Sequence, residues 1–170
     1  LDSLTLELRM IRSLGFSEIY VAFAGTGEKF TRKIFHAEGR NVIQCGNYIG
    51  HVLDVSAELG FKRATICGNP GKLLKVSAGS FNTHSKVADG RLESLCTHLA
   101  LMGACSNVVS KIYHSNTTNE AIEIVRAEGF GGVWNNIAEI ISRKCEERIN
   151  MAMKVSAVFV DSEGKILGYA

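Results

Sequence analysis

The sequence predicts an α/β fold: a mainly parallel sheet with crossover helices, finished by a C-terminal β-hairpin. Three observations carry this expectation. A short apolar run, a glycine turn and an amphipathic stretch follow one another three times, starting near residues 19, 41 and 63. Parallel strands joined by helices require that order. Farther on, apolar residues recur at helical spacing over long stretches. The last long apolar run, 155–160, is separated from Ile166 by Ser162-Glu163-Gly164-Lys165, a turn that folds neighbouring strands back on each other.

Taken in order, residues 4–14 place Leu4, Leu8 and Ile11 on one helical face, with Gly15 positioned to end the helix. Residues 19–24 read as a buried strand, broken by Gly25-Thr26-Gly27-Glu28-Lys29, with a short helix expected over 29–35. A second strand covers 41–45, Gly46-Asn47 forms a tight turn, and a helix over 48–59 carries Ile49, Val52 and Leu53 on its apolar stripe. A third strand, 63–67, ends at Gly68-Asn69-Pro70-Gly71-Lys72 and leads into a short helix over 72–78. Ser85 is expected to cap a longer helix reaching Met102, with Ala88, Leu92, Leu95 and Leu99 facing inward. Thr117-Thr118-Asn119-Glu120 has the form of a capping box opening a helix to Glu128. A long helix over 134–153 precedes the hairpin.

Composition narrows the function. With 46% hydrophobic and 21% charged residues, the 170 residues can fill one core, and a single domain over 1–170 is expected. A net charge of +2, with Lys and Arg scattered, gives no footprint for nucleic acid. No apolar stretch approaches the ~18 residues of a membrane span. The five cysteines, Cys45, Cys67, Cys96, Cys105 and Cys145, are odd in number and lack a CxxC pair. That usage favours reduced thiols and a cytoplasmic location. Nothing in the sequence sets an oligomeric state.

In open α/β sheets, ligands bind beyond the carboxyl ends of the strands. The three glycine turns stand at those ends. Glycine admits close backbone approach, and the helix that follows offers unpaired N–H donors. Glycine turns are also what strand-to-helix connections need in any case. Known phosphate motifs do not fit: Phe30 stands where GxGxxG needs its last glycine, and Ile66 where a P-loop needs its first. The most polar run is Phe81-Asn82-Thr83-His84-Ser85-Lys86-Val87-Ala88-Asp89-Gly90-Arg91. It can simply open its helix. Alternatively, His84 can act there as acid, base or ligand contact, with Asp89 beside it. No histidine or cysteine falls at a metal-ligand spacing, so no protein metal site is expected.

These same segments resemble the cobalt-precorrin-5B (C-1)-methyltransferase family, CbiD. The resemblance runs in the family's order through Gly25-Thr26-Gly27-Glu28-Lys29, Cys45-Gly46-Asn47-Tyr48-Ile49-Gly50, Gly71-Lys72-Leu73 and the run from Phe81 to Arg91, and is most specific in Asn82-Thr83-His84-Ser85. It implies transfer of a methyl group from S-adenosylmethionine to a cobalt corrinoid, the cobalt belonging to the substrate. It implies a donor site at Gly25, Thr26, Gly27, Glu28, Gly46 and Asn47. Corrinoid contacts are implied at Gly71, Lys72, Asn82, Thr83, Ser85, Lys86 and Arg91, and catalytic roles at His84 and Asp89. Asn69 stands where the family pattern carries His, and the family's N-terminal Thr-Thr-Gly-Thr motif has no counterpart here. The chain, which starts at Leu1, is therefore expected to be the C-terminal portion of a longer protein. Two other classes stay open. A nucleotide-binding oxidoreductase would need an acidic residue ending the second strand, where Gln44-Cys45 stand. A non-catalytic corrinoid- or nucleotide-binding module is the other.

Overall fold

The computed structural model describes residues 1–23, 26–37 and 39–170. One five-stranded sheet has the order β2-β1-β3-β4-β5. Strands β1 (Glu18–Ala22), β2 (Val42–Gln44), β3 (Arg63–Gly68) and β4 (Lys154–Val160) are parallel, and β5 (Ile166–Tyr169) runs antiparallel to β4. The expected fold class and terminal hairpin are both present.

Alternation along the strands sorts the core into two faces. Ile19, Val21, Ile43, Ala64, Ile66, Ala157 and Phe159 point into the main core. Helices α1 (Asp2–Ser13), α3 (Ile49–Glu58), α4 (Pro70–Ser77) and α8 (Val133–Arg148) contribute to that core. Helices α5 (Arg91–Leu101), α6 (Ser106–Tyr113) and α7 (Thr118–Ala127) extend it. On the opposite face, α2 (Thr26–Phe35) lays Phe30, Ile34 and Phe35 over Cys67, Val158 and Val160. Tyr20 stacks on Phe35 with ring centroids 4.9 Å apart. The α1 stripe is as expected, with Leu8 and Ile11 buried and Gly15 at φ +90° just beyond the helix.

Two boundaries and one element differ most from the sequence expectation. No helix starts at Ser85; α5 begins at Arg91. The amides that would have opened a helix are taken locally instead. Asn82 Oδ1 accepts from His84 N–H, His84 Nδ1 accepts from Lys86 N–H, and Asp89 Oδ1 accepts from Arg91 N–H. Such side-chain bonds compete with the helix ladder, and Gly90 at φ +81° interrupts it. Ala88 therefore lies outside the helix it was assigned to. Helix α8 stops at Arg148 because Asn150 and Met151 take positive φ. Helix α6 falls where the pattern gave no element; only Val108 and Ile112 of its eight residues are buried, too few to mark a stripe.

Helix α7 opens as its sequence requires. Thr117 Oγ1 accepts from Glu120 N–H at 3.1 Å, and the Glu120 carboxylate reaches back to Asn116 N–H at 2.8 Å. Thr117→Ala is expected to lower stability by about 1 kcal/mol. Urea unfolding read as a shift in midpoint at constant slope checks it.

Candidate functional site

The chain runs from β1 outward to β2, then crosses back to β3 on the other side of β1. Crevices of open α/β sheets form at such reversals, outside the carboxyl ends of the strands. A cavity of about 880 Å3 lies there, near the upper end of the ~300–1,000 Å3 usual for small-molecule sites. Phe23 after β1, Gly68 ending β3, and Val160 and Asp161 at the end of β4 form its strand side. Gly68 has no substitute: a Cβ there would lie 2.5 Å from the Phe23 ring.

Three helix N-termini reach the cavity: Gly27 of α2, Asn69 to Lys72 of α4, and Thr117 to Asn119 of α7. Each supplies a positive dipole end. Asn69 is the N-cap of α4, its Oδ1 accepting from Lys72 N–H at 3.1 Å. Asparagine at this position thus has a helix-capping task that needs no proton exchange.

A polar knot joins the β2–α3 turn, α4 and the polar run. Thr83 is fully buried. Its N–H donates to Asn47 O at 3.0 Å and its hydroxyl to Asn47 Oδ1 at 3.2 Å. Lys72 Nζ donates to Asn47 Oδ1 at 2.7 Å and to Thr83 O at 3.4 Å, and Lys75 Nζ donates to the same Thr83 carbonyl at 3.2 Å. Burial, then repulsion from Lys75, holds the Lys72 ammonium below the ordinary lysine pKa. Gly46 does not line the cavity; its φ of +56° makes the turn that delivers Asn47.

The polar run leaves this knot along the cavity edge, with His84, Ser85 and Arg91 lining it. Because His84 Nδ1 accepts from Lys86 N–H at 3.1 Å, the neutral ring carries its proton on Nε2 and acts as a donor there. Asp89 grips Arg91 with both oxygens, at 2.6 Å from Nε and 3.0 Å from the terminal guanidinium nitrogen. Arg91 holds the Asp89 carboxyl below its usual pKa, so it stays ionised. Asp89, Asn82 and Lys86 do not line the cavity; Asp89 orients Arg91, and Asn82 shapes the backbone beneath His84. The base of the run is fixed by Arg148, whose guanidinium sits 4.8 Å from the Phe81 ring centroid and pairs with Asp54 at 2.9 and 2.7 Å.

Gly25 lies outside the described residues. Glu28 is not at the cavity: it binds Arg32 at 2.8 Å and the Gln44 amide, and these partners lower its pKa. β2 ends at Gln44, whose amide binds Glu28, and not at an acidic residue. Burial pushes the Cys45 thiol up to about 12 and raises that of Cys67, which leaves both un-ionised. Among the described residues no three His, Cys, Asp or Glu side chains are grouped to hold a metal, and no helix is long and apolar enough to cross a membrane.

Lys75, the Asn116 to Asn119 segment and Asp161 with Ser162 were not expected at the site. A lysine inside the apolar run Leu73-Leu74-Lys75-Val76 was the one readable signal. The α7 capping box and the hairpin turn were legible as local structure only.

Similarity to other proteins follows the same segments. The family model described as "CbiD, C-terminal domain" matches residues 82–170. The cobalt-precorrin-5B C(1)-methyltransferase of Photorhabdus laumondii is 37% identical over 169 residues, which are 98% of this chain and 45% of that protein. The protein of the same name from Tolumonas auensis is 41% identical over 154 residues, 91% of this chain and 40% of the relative. That from Clostridioides difficile is 37% identical over 161 residues, 95% and 38% respectively. This chain therefore spans under half the length of these curated relatives. No solved structure matches it. With more than half of its length matched by that model, the chain belongs to the CbiD family.

Proposed function

We propose that the full-length protein transfers the methyl group of S-adenosylmethionine to C-1 of cobalt-precorrin-5B, giving cobalt-precorrin-6A, and that the cavity described here holds part of both reactants. The observation that carries this reading is the gathering of Gly27, Asn47, Lys72, Thr83 and His84 around one cavity at the sheet's reversal point. These residues come from separate segments of the resemblance. In the reaction, an electron pair of the macrocycle attacks the methyl carbon, a C–C bond forms, and the C–S bond breaks to leave a neutral thioether. No covalent enzyme intermediate is needed, which suits a site whose nearby thiols are un-ionised. The protein's task is to align donor and acceptor and to exclude water. The cobalt is part of the substrate. The protein acts in the cytoplasm.

Gly27 and the turn at Asn47 form the donor side in this reading. Among the described residues a Cβ at Gly27 would meet Ala22 Cβ at 4.0 Å, an ordinary contact, and Gly27 lines the cavity. Gly27→Val is expected to fold normally and to bind S-adenosylhomocysteine roughly tenfold more weakly, or worse. Isothermal titration checks it. Unchanged affinity in a folded variant removes this turn from the donor site.

A further inference from the structure

Two ammonium groups converge in this site with no carboxylate of the described residues bonded to either. Lys75 is only 3% exposed, yet its Nζ meets just one acceptor among the described residues, the Thr83 carbonyl it shares with Lys72. No carboxylate of the described residues lies within 4.0 Å of either Nζ. Asp89 is close enough for the Lys75 charge to favour its ionised form, but both of its oxygens are bonded to Arg91. An ammonium carries three donors, so both lysines have bonds to give. A buried charge without a partner is costly, and fixed proteins retain one where a ligand supplies the partner. Both side chains line the cavity, beside the N-terminus of α4 and close to that of α7.

We propose that Lys72 and Lys75 form a dibasic receptor for one carboxylate of the bound ligand, with Lys75 as its buried member. The identity of that ligand rests on the function proposed above; the receptor itself does not. Two sources supply such a group: an acetate or propionate arm of the corrinoid, and the amino-acid end of the methyl donor. Thr83 O spaces the two ammonium groups so that a carboxylate can bridge them, and Lys75 sets where along the cavity that arm is held.

The test is calorimetric titration of the full-length protein and its Lys75→Met and Lys75→Gln variants. Three ligands are used: a cobalt corrinoid with free carboxylate arms, the same corrinoid fully esterified, and S-adenosylhomocysteine. Methionine removes the charge and the bond to Thr83; glutamine keeps a donor for Thr83 and removes only the charge. Both variants are expected to fold with an unchanged or higher thermal midpoint, since an unpaired buried charge is lost. Both should bind one ligand roughly tenfold or more weakly. Weakening confined to the free-acid corrinoid assigns the receptor to a corrinoid arm, and weakening confined to S-adenosylhomocysteine assigns it to the donor. Wild-type affinity of Lys75→Gln for all three ligands overturns the proposal and leaves Lys75 as an anchor for Thr83. A wild-type protein that shows this charge dependence but transfers no methyl group would sink the proposed reaction while the receptor stands.

Discussion

His84→Ala in the full-length protein is expected to lower methyl transfer about a hundredfold while leaving the thermal midpoint within a few degrees. The side chain is exposed at the cavity edge, so its loss opens no void in the core. Its ring hydrogen bond, Nδ1 accepting from Lys86 N–H, steadies a surface turn. What the variant loses is an Nε2–H donor at the cavity edge. That proton position also separates two roles. A neutral ring whose Nδ1 accepts from Lys86 N–H donates through Nε2. Glutamine places an amide N–H near the histidine Nε2 position. If His84 works by donating to a substrate arm, His84→Gln should recover a large part of the activity; if it moves protons, His84→Gln should be as slow as alanine. Steady-state rates, with circular dichroism melting of the same samples, read both. Full activity in a folded His84→Ala, Asp89→Asn double variant would reduce the run to architecture.

Gly168→Val should damage the fold severely, lowering stability by about 3 kcal/mol or more. A Cβ at residue 168 would lie 2.5 Å from Trp134 Cβ, and 2.7 Å from both the Trp134 carbonyl carbon and Asn135 Oδ1. Two of those three atoms are not free to move: the backbone of α8, and the amide oxygen that accepts from Tyr169 N–H at 2.9 Å. Trp134 in turn packs on Phe159, the partner of Gly168 in the β4–β5 register, with ring centroids 5.4 Å apart. Valine must therefore push β5 from the sheet or α8 from β4. Because Val160 to Ser162 end β4 at the cavity, the damage should reach ligand binding as well. Urea unfolding followed by tryptophan fluorescence checks it, Trp134 being the single tryptophan of the chain. A midpoint equal to wild type would mean that α8 does not lie this close to β5 in solution.

The first three parallel strands were legible because each is a short apolar run stopped by glycine, and the hairpin because Ser162-Glu163-Gly164-Lys165 separates two apolar runs. The start of α5 was not. Ser85 has the chemistry of an N-cap, yet the amides after Asn82 and His84 are satisfied by those side chains, a competition that residue types alone do not decide. At the site, Gly27, Asn47, Lys72 and His84 could be named from their places at strand ends and in the polar run. Lys75 could not: a helical lysine is ordinarily solvated, and only the packing of α4 against α5 and α8 encloses it. Thr118 and Asp161 reach the cavity through α7 and β4, elements whose position relative to β1 and β3 is set by long-range packing. Local sequence carries no record of that.

The most direct test is incubation of the full-length protein with cobalt-precorrin-5B and S-adenosylmethionine carrying a 13C-labelled methyl group, followed by NMR of the corrinoid. The account predicts one labelled methyl on C-1, with formation slowed in His84→Ala and in Gly27→Val. A corrinoid without label after incubation with folded wild-type protein, or label on another ring carbon, would contradict it.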